Sequence, residues 1–179
     1  MKRAIFTLLL AGLGSSSDVA GADPPPPSGR VVPIFSIAKS ENKNQVAYVI
    51  RLDDSCAPIG PMAVSAYWRM LENGPTETAP ILSREVAAYG LASQAVVSSD
   101  ASGGAVRAVL KALPGRPLTI VTSRGADGKC RALATTSIAN TPAHLFNVYV
   151  HLKWDGVDYL LLQGWSMDGS HVIRETLTK

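Results

Sequence analysis

The chain has little charge, few phenylalanines and almost no cysteine, and these shortages limit the classes of protein to which it can belong. Charged residues make up 17% of the 179 positions and hydrophobic residues 46%, so the chain can bury a core and is not intrinsically disordered. Two cysteines are too few for a disulfide-rich miniprotein or a four-cysteine zinc module. Fifteen Gly and twelve Pro beside three Phe indicate many turns and short elements. The same composition excludes collagen, coiled coils and polytopic membrane proteins.

The N-terminal residues have the pattern of a secretory signal peptide. Lys2 and Arg3 are followed by the apolar run Ala4–Leu13 and then by Ala20-Gly21-Ala22, which fits the small-residue cleavage rule. The apolar run is shorter than the roughly 20 residues that span a bilayer. We therefore predict a signal peptide over residues 1–22, no transmembrane segment after its removal, and a periplasmic or extracellular location. The alternatives are an uncleaved amphipathic leader or a buried helix.

Residues 23–30 contain four consecutive prolines, which cannot continue a helix. This composition predicts a stiff, extended spacer between the leader and the domain. The same prolines argue against an uncleaved amphipathic leader and against a buried helix, because neither helix could continue through them.

Export determines how the two cysteines are interpreted. Cys56 and Cys130 would meet an oxidising compartment, where a pair of cysteines is more often bridged than free. We predict a Cys56–Cys130 disulfide, with two buried thiols as the alternative. A redox or metal role has little support, because the sequence has neither a CxxC motif nor a histidine close to either cysteine.

The remainder, residues 31–179, is predicted to be a single β-rich domain. Short extended segments alternate with turns, and Asp127-Gly128, Asp155-Gly156 and Asp168-Gly169 supply the positive φ that tight hairpins need. One segment, Ile81–Leu91, favours a helix that Ser83 would cap and Gly90 would end. The predicted fold is all-β: an antiparallel barrel of about eight to ten strands with one short helix, or a sandwich as the second choice.

The Asp155-Gly156 hairpin allows a more detailed prediction. A two-residue loop would place one nearly apolar set on a single face, and Lys153 opposite Asp158 on the other face, where opposed charges favour this register. The apolar set pairs Trp154 with Val157, Leu152 with Tyr159, Val150 with Leu161, Val148 with Gln163, and Phe146 with Trp165.

The turn after this hairpin has two possible registers. A three-residue loop with a Gly bulge at Asp168-Gly169 would add Ile173, Glu175 and Leu177 to the Trp165 face, whereas a two-residue loop would not. We prefer the bulged version, because it keeps the apolar residues together.

Each catalytic motif that the sequence resembles lacks a residue or a spacing that the chemistry needs. Gly164-Trp165-Ser166-Met167-Asp168 resembles a nucleophile elbow only loosely, since Asp168 stands where Gly is needed. The three histidines, His144, His151 and His171, lack metal-ligand spacing and are interpreted as structural. No cofactor, metal site or catalytic residue is predicted.

Positive charge is concentrated between Ala101 and Thr135. This stretch holds six basic residues against Asp127 alone: Arg107, Lys111, Arg116, Arg124, Lys129 and Arg131. A basic patch of this kind could meet anionic envelope polymers or lipid head groups; the simpler interpretation is a solvated strand face. Aromatic residues do not alternate with the basic ones, so nucleic acid is not a predicted partner.

Three segments carry a resemblance to a known family: Phe35–Tyr48, Glu85–Gly90, and the closing Leu161–Trp165 with Arg174-Glu175. Together they resemble a family of exported bacterial domains that is described only as a domain of unknown function. The likeness covers residues 34–177. It implies a single β-rich domain in a bacterial envelope or secreted setting, and it brings no activity or site residues with it.

These observations favour an exported, non-catalytic binding module that holds a small apolar ligand or an envelope component. The alternatives are a structural or interaction domain of the cell envelope, or an enzyme whose residues converge from distant strands. Gln163 is polar within the predicted apolar face, and the bulged register would bring Glu175 beside it. We therefore predict a ligand site at Tyr159, Gln163, Trp165 and Glu175, with the two aromatic rings as stacking walls. The oligomeric state is not indicated.

Overall fold

The computed structural model describes residues 29–74, 77–154 and 156–178. The predicted signal peptide, residues 1–22, and all but the last two residues of the predicted spacer, 23–30, lie outside this part of the chain. Strand β1 begins at Arg30, the last residue of that spacer.

Within the described residues the chain is 64% strand with one short helix, which confirms the all-β prediction. The eleven strands are β1 Arg30–Lys39, β2 Gln45–Leu52, β3 Val64–Arg69, β4 Thr78–Pro80, β5 Leu91–Asp100, β6 Gly103–Leu110, β7 Pro117–Arg124, β8 Cys130–Ile138, β9 Thr141–Lys153, β10 Gly156–Ser166 and β11 Val172–Thr178. Strand β4 has three residues, too few to show a period of two in the sequence.

All strands belong to one sheet that curls into a half-barrel. Its order is β4-β3-β2-β1-β9-β8-β7-β6-β5, and β10 pairs with the other edge of β9 and with β11. Strand β9 has 13 residues. Its first part pairs antiparallel with β8, where Ala134 meets Leu145, and its last part pairs parallel with β1, where Ile37 meets Val148. Strand β9 therefore joins two wings of the sheet, one formed by β1 to β4 and the other by β5 to β8.

The curl brings β5 close to β3, and one side chain joins them. The amide of Gln94 donates from Nε2 to the Val64 carbonyl and accepts from the Val64 N–H, both at 2.9 Å. A neighbouring strand would make these two hydrogen bonds with its backbone. Gln94 thus replaces a strand pairing where the two ends of the curled sheet meet.

The core fills the concave side of the sheet. In β2, Val46, Tyr48, Ile50 and Leu52 have no exposed surface, as their alternation in the sequence predicts. Strand β7 alternates in the same way, with Leu118 and Ile120 buried among exposed neighbours. The other large, fully buried side chains include Val106, Leu110, Ile138, Val148 and Leu162.

The predicted register of the β9–β10 hairpin is wrong. Lys153 pairs with Gly156 and Leu152 with Val157, and a bulge at Asp158 then puts Tyr159 opposite His151. Each bulge inserts one residue, and a one-residue slip moves side chains to the other face of the sheet. The predicted charge pair still forms, because the bulged Asp158 lies 2.7 Å from Lys153 Nζ.

A second bulge interrupts β9 at Phe146, since Gln163 pairs with Asn147 and Gly164 with Leu145. Consequently Val148 and Val150 of the predicted apolar face point into the core, whereas Tyr159, Leu161 and Gln163 pair with His151, Tyr149 and Asn147 on the outer face.

The β10–β11 pairing also differs from the preferred prediction. Trp165 pairs with Val172 and Gln163 with Arg174, which is the register of the two-residue loop. Glu175 pairs with Leu162 and shares its inner face, so it does not join Gln163 as predicted. Gly128, Gly156 and Gly169 adopt φ of +74°, +138° and +73°, which confirms the positive φ expected at the glycines of all three turns; Asp155 lies outside the described residues.

The predicted helix over Ile81–Leu91 is present but shorter. A 3-10 turn, Ser83–Glu85, leads into α1, Val86–Tyr89. Ser83 does not cap it. Instead, the Glu85 carboxylate accepts from the Leu82 N–H at 3.0 Å. Gly90 ends the helix as expected, because a Cβ there would lie 2.4 Å from the Val86 carbonyl oxygen. No helix in the described ranges has the length and apolar character needed to cross a bilayer.

The Cys56–Cys130 disulfide is present, with Cα atoms 5.3 Å apart. It joins the loop after β2 to the first residue of β8. Two further contacts tie the same loop to β7: Thr122 Oγ1 donates to the Cys56 carbonyl at 2.8 Å, and the Arg124 guanidinium donates to the Asp54 carbonyl. The loop between β2 and β3 is thereby attached to the opposite wing of the sheet.

Reduction of this disulfide is expected to lower the free energy of unfolding by about 2–4 kcal/mol, because it closes a long loop of chain. Urea unfolding with and without reductant measures the difference. A Cys56→Ala/Cys130→Ala double variant is the control and should not respond to reductant. Equal stability of the oxidised and reduced wild-type protein would contradict the prediction.

Candidate functional site

The described structure contains an apolar cavity of about 500 Å³ that is open to solvent at a mouth. It lies between α1, the β6–β7 loop, and strands β1, β9, β10 and β11. The residues that line it are Ile37, Ala88, Tyr89, Leu110, Ala112, Leu113, Val148, Val150, Leu152, Val157, Leu160, Leu177 and Thr178.

The base and the mouth of the cavity differ in exposure. Ile37, Leu110 and Val148 form a buried base. The mouth is formed by exposed residues of four elements: Ala88 of α1, Ala112 of the β6–β7 loop, Val157 of β10 and Thr178 of β11. Among the lining residues that the structure describes, none carries a charge, and hydroxyls come from Tyr89 and Thr178 alone. Ligand pockets of about 300–1,000 Å³ typically combine an apolar lining with a few polar groups, and this cavity has that composition.

The short helix at the mouth is held by two hydrogen-bonded contacts. The Tyr48 hydroxyl donates to the Tyr89 carbonyl at 2.5 Å, and Trp68 Nε1 donates to the Glu85 carboxylate at 2.9 Å. The Trp68 and Tyr89 rings also meet edge to face, with centroids 5.2 Å apart. These contacts fix Tyr89 in the wall of the cavity.

The charges of these groups follow from their surroundings. Burial raises the pKa of Tyr48 and, to a smaller extent, that of Tyr89, because the phenolate form would be poorly solvated. The hydrogen bond from Trp68 is the main cause that lowers the pKa of Glu85. The helix is thus pinned by a neutral phenol and an ionised carboxylate at neutral pH.

An ion pair fastens two other walls of the cavity to each other. Arg116, in the loop after Leu113, donates to both oxygens of Glu175 in β11, at 2.5 and 2.6 Å. Glu175 also accepts from the Ala139 N–H at 2.7 Å, and Arg116 donates to the Ser137 carbonyl at 2.8 Å. The guanidinium is the main cause that lowers the pKa of Glu175. The carboxylate is therefore fully engaged within the protein.

The four predicted ligand residues do not come together. Tyr159, Gln163 and Trp165 lie on the outer face of β10, where Gln163 Oε1 accepts from Asn147 at 3.0 Å. Glu175 lies on the inner side. None of the four lines the cavity. A binding role for the three outer residues stays a prediction, but the idea that Gln163 and Glu175 form one site on one face is wrong.

The residues that line the cavity were partly visible in the sequence. Val148, Val150 and Leu152 belong to the predicted apolar face, whereas Leu160 does not. Tyr89, Leu113 and Leu177 come from segments with no local indication of proximity. Only the three-dimensional path of the sheet brings them to β9.

The turn after Ser166 and the neighbouring His171 form a local hydrogen-bond network. Asp168 Oδ1 accepts from Ser166 Oγ at 2.5 Å and from Ser170 Oγ at 2.8 Å, and these bonds lower the pKa of Asp168. Ser170 Oγ lies 2.9 Å from His171 Nδ1. A catalytic triad needs the carboxylate on the histidine; here it bonds to the two serines and closes a turn. The described residues contain no cluster of three or more His, Cys, Asp or Glu side chains able to hold a metal ion.

Replacing Glu175 with Gln is expected to lower the free energy of unfolding by about 1–3 kcal/mol at pH 7, because Arg116 loses its anionic partner. Urea unfolding measures this change. Asp54→Asn is a matched control, since it breaks the exposed Arg30–Asp54 pair and should leave stability nearly unchanged. An equal effect of both variants would contradict a structural role for Glu175.

The stability that the Glu175 carboxylate contributes depends on pH in a defined direction. A carboxylate whose pKa is lowered by folding stabilises the native state above its ordinary pKa of 4.5 and loses this effect as the pH falls through the lowered value. The stability difference between wild type and Glu175→Gln should therefore be largest near neutral pH and shrink below about pH 4.5.

Comparison with known proteins gives one result. The family model described as a domain of unknown function (DUF4833) matches residues 35–176. No curated protein matches the chain, and no solved structure matches it. Since the model covers well over half of the sequence, the chain belongs to the DUF4833 family of domains of unknown function.

Proposed function

We propose that the protein is an exported, non-catalytic binding module that holds a small apolar ligand in the cavity beneath α1. The observation that carries the proposal is the mostly aliphatic lining of about 500 Å³ of space, in which no described residue is charged. Well-packed cores contain few voids larger than a water molecule. A space of this size, open at a mouth, therefore has the form of a binding site.

The chemistry of the lining defines the ligand class. Valine and leucine side chains of β9 and β10 supply dispersion contacts, and a charged group placed among them would lose its hydration without a partner. The hydroxyls of Tyr89 and Thr178 provide hydrogen bonds for one polar end. The favoured ligand is a single hydrocarbon chain or ring system with at most one uncharged polar group.

The proposed location is the periplasm or the outside of a bacterial cell. Support comes from the leader pattern of residues 1–22 and from the Cys56–Cys130 bridge, since disulfides persist in oxidising compartments. An exported carrier of an apolar molecule would suit an aqueous compartment between or outside membranes.

Export can be tested by the mass of protein recovered from the periplasm or medium of a bacterial host that expresses the full chain. We expect a mature chain that begins at Asp23 with both cysteines resistant to alkylation until reductant is added. Recovery of the intact 179-residue chain from the cytoplasm alone would contradict the export proposal.

The ligand proposal can be tested with the neutral fluorescent probe N-phenyl-1-naphthylamine. Ala88→Phe places a ring at the cavity mouth and is expected to weaken binding about tenfold or more, as overpacking of a site typically does. Ala87→Phe is the matched control, because Ala87 is an exposed neighbour in the same helix that does not line the cavity.

The outcomes separate the candidate functions. Binding that Ala88→Phe weakens and Ala87→Phe preserves supports the cavity as the site. If the wild-type protein binds no apolar probe, and mass spectrometry of the native protein finds no retained molecule, the binding-module proposal fails. The structural or interaction domain of the envelope then becomes the better hypothesis.

A further inference from the structure

The outer, convex face of the sheet carries an unusual row of exposed apolar residues. Val121 and Leu133 are opposite each other on β7 and β8, and they are 48% and 52% exposed. On the next strand Ala105 is opposite Val121, and Val97 of β5, 65% exposed, lies beside the partner of Ala105. The row thus crosses four neighbouring strands, with Ser98 as the polar residue opposite Ala105 on β5.

The row continues onto the terminal hairpin. Phe146 follows Leu145, the partner of Ala134, so it lies at the level of Leu133 on β9. The Trp165 ring is 5.9 Å from the Phe146 ring and is 45% exposed. Six strands spaced by about 4.8 Å give a band about 24 Å across. Single exposed apolar residues are ordinary, but a contiguous band marks an interaction surface.

Three arginines lie beside this band. Strands β6, β7 and β8 contain no Asp or Glu. Arg107 lies on the outer face opposite Thr119, and Arg174 lies opposite Gln163; neither forms an ion pair with a described residue. Arg131 is the third, and it meets Asp127 of the β7–β8 loop at 3.4 Å. Asp127 and Asp100, which ends β5 opposite Gly103, lie at the same margin, so three arginines face two carboxylates and the excess charge is positive.

We propose that this face, the band from Val97 to Trp165 with Arg107 and Arg174 beside it, docks on the surface of an anionic lipid bilayer. Apolar side chains enter the interface between head groups and acyl chains, where tryptophan is favoured. Arginine guanidinium groups bind lipid phosphates with paired hydrogen bonds. Charge complementarity selects this occupant: a neutral surface would satisfy the band but leave the two arginines without anions.

This proposal is independent of the cavity. Side chains alternate along a strand, so the band lies on the side of the sheet opposite to the buried core. Arg107, for example, points outward between the buried Val106 and Ala108. Changes to the outer face should therefore leave binding of an apolar probe unaffected.

Vesicle co-sedimentation of the mature protein tests the proposal. Vesicles of phosphatidylcholine alone are compared with vesicles that contain phosphatidylglycerol as well. We expect clear binding to the anionic vesicles only, with loss at high salt, because screening weakens interactions between exposed charges. Absence of binding, or equal binding to both compositions, would overturn the proposal.

Substitutions locate the surface. Arg107→Gln and Arg174→Gln should each weaken binding about fivefold, the expected contribution of one basic residue near an anionic membrane. Leu133→Ser should weaken it as well. Arg69→Gln and Met62→Ser are matched controls, because both residues are exposed outside this face. Equal losses in the controls would mean that net charge or overall hydrophobicity, and not this face, determines binding.

Tryptophan fluorescence reports the orientation. In a Trp154→Phe background, which leaves Trp165 and the buried Trp68 (8% exposed), lipids brominated on their acyl chains should quench Trp165. In a Trp165→Phe background, Trp154, 98% exposed at the end of β9, should not be quenched. Quenching of Trp154 alone would place another surface on the bilayer.

Loss of self-association in the Leu133→Ser variant, without any vesicle binding by the wild type, would identify a second copy of the chain as the occupant. Either outcome overturns the proposal.

Discussion

The fold depends on the divided edge of β9. This strand accepts β8 along its first part and β1 along its last part, in opposite orientations, while β10 occupies its whole other edge. The change of partner falls between Leu145 and Asn147, at the position of the Phe146 bulge. The bulge lets both Phe146 and Asn147 face outward and returns Val148 to the core. The wings, the core and the cavity base all rely on this adjustment.

The strands were predictable because their residues alternate. The segment Gln45–Leu52 has the predicted bounds, and Gly128 and Gly169 have the positive φ that hairpin turns require. Register was not predictable in the same way. A period of two tells which face a residue lies on only while the hydrogen-bond ladder is regular. Nothing in the residues around Asp158 distinguishes this bulge from a regular strand position.

The cavity shows the same limit. Val148 and Val150 are apolar positions that any barrel would turn inward, so their burial follows from local pattern. Tyr89 reaches the cavity because the Tyr48 hydroxyl binds its carbonyl, and Leu113 because the Arg116–Glu175 pair holds the loop beside β11. Such contacts join residues 41 and 59 positions apart. They depend on closure of the sheet, which no local pattern encodes.

Alternation also explains how one sheet can serve two surfaces. On β8, Ala132 and Ala134 are buried, and Leu133 between them is exposed. The outer position, Leu133, carries a large apolar side chain that stays 52% exposed opposite Val121. Stability of the fold does not require leucine at that position, since an exposed large apolar side chain gains little from folding. A requirement outside the fold therefore accounts better for its exposure, and the same argument applies to Val121 on the adjoining strand.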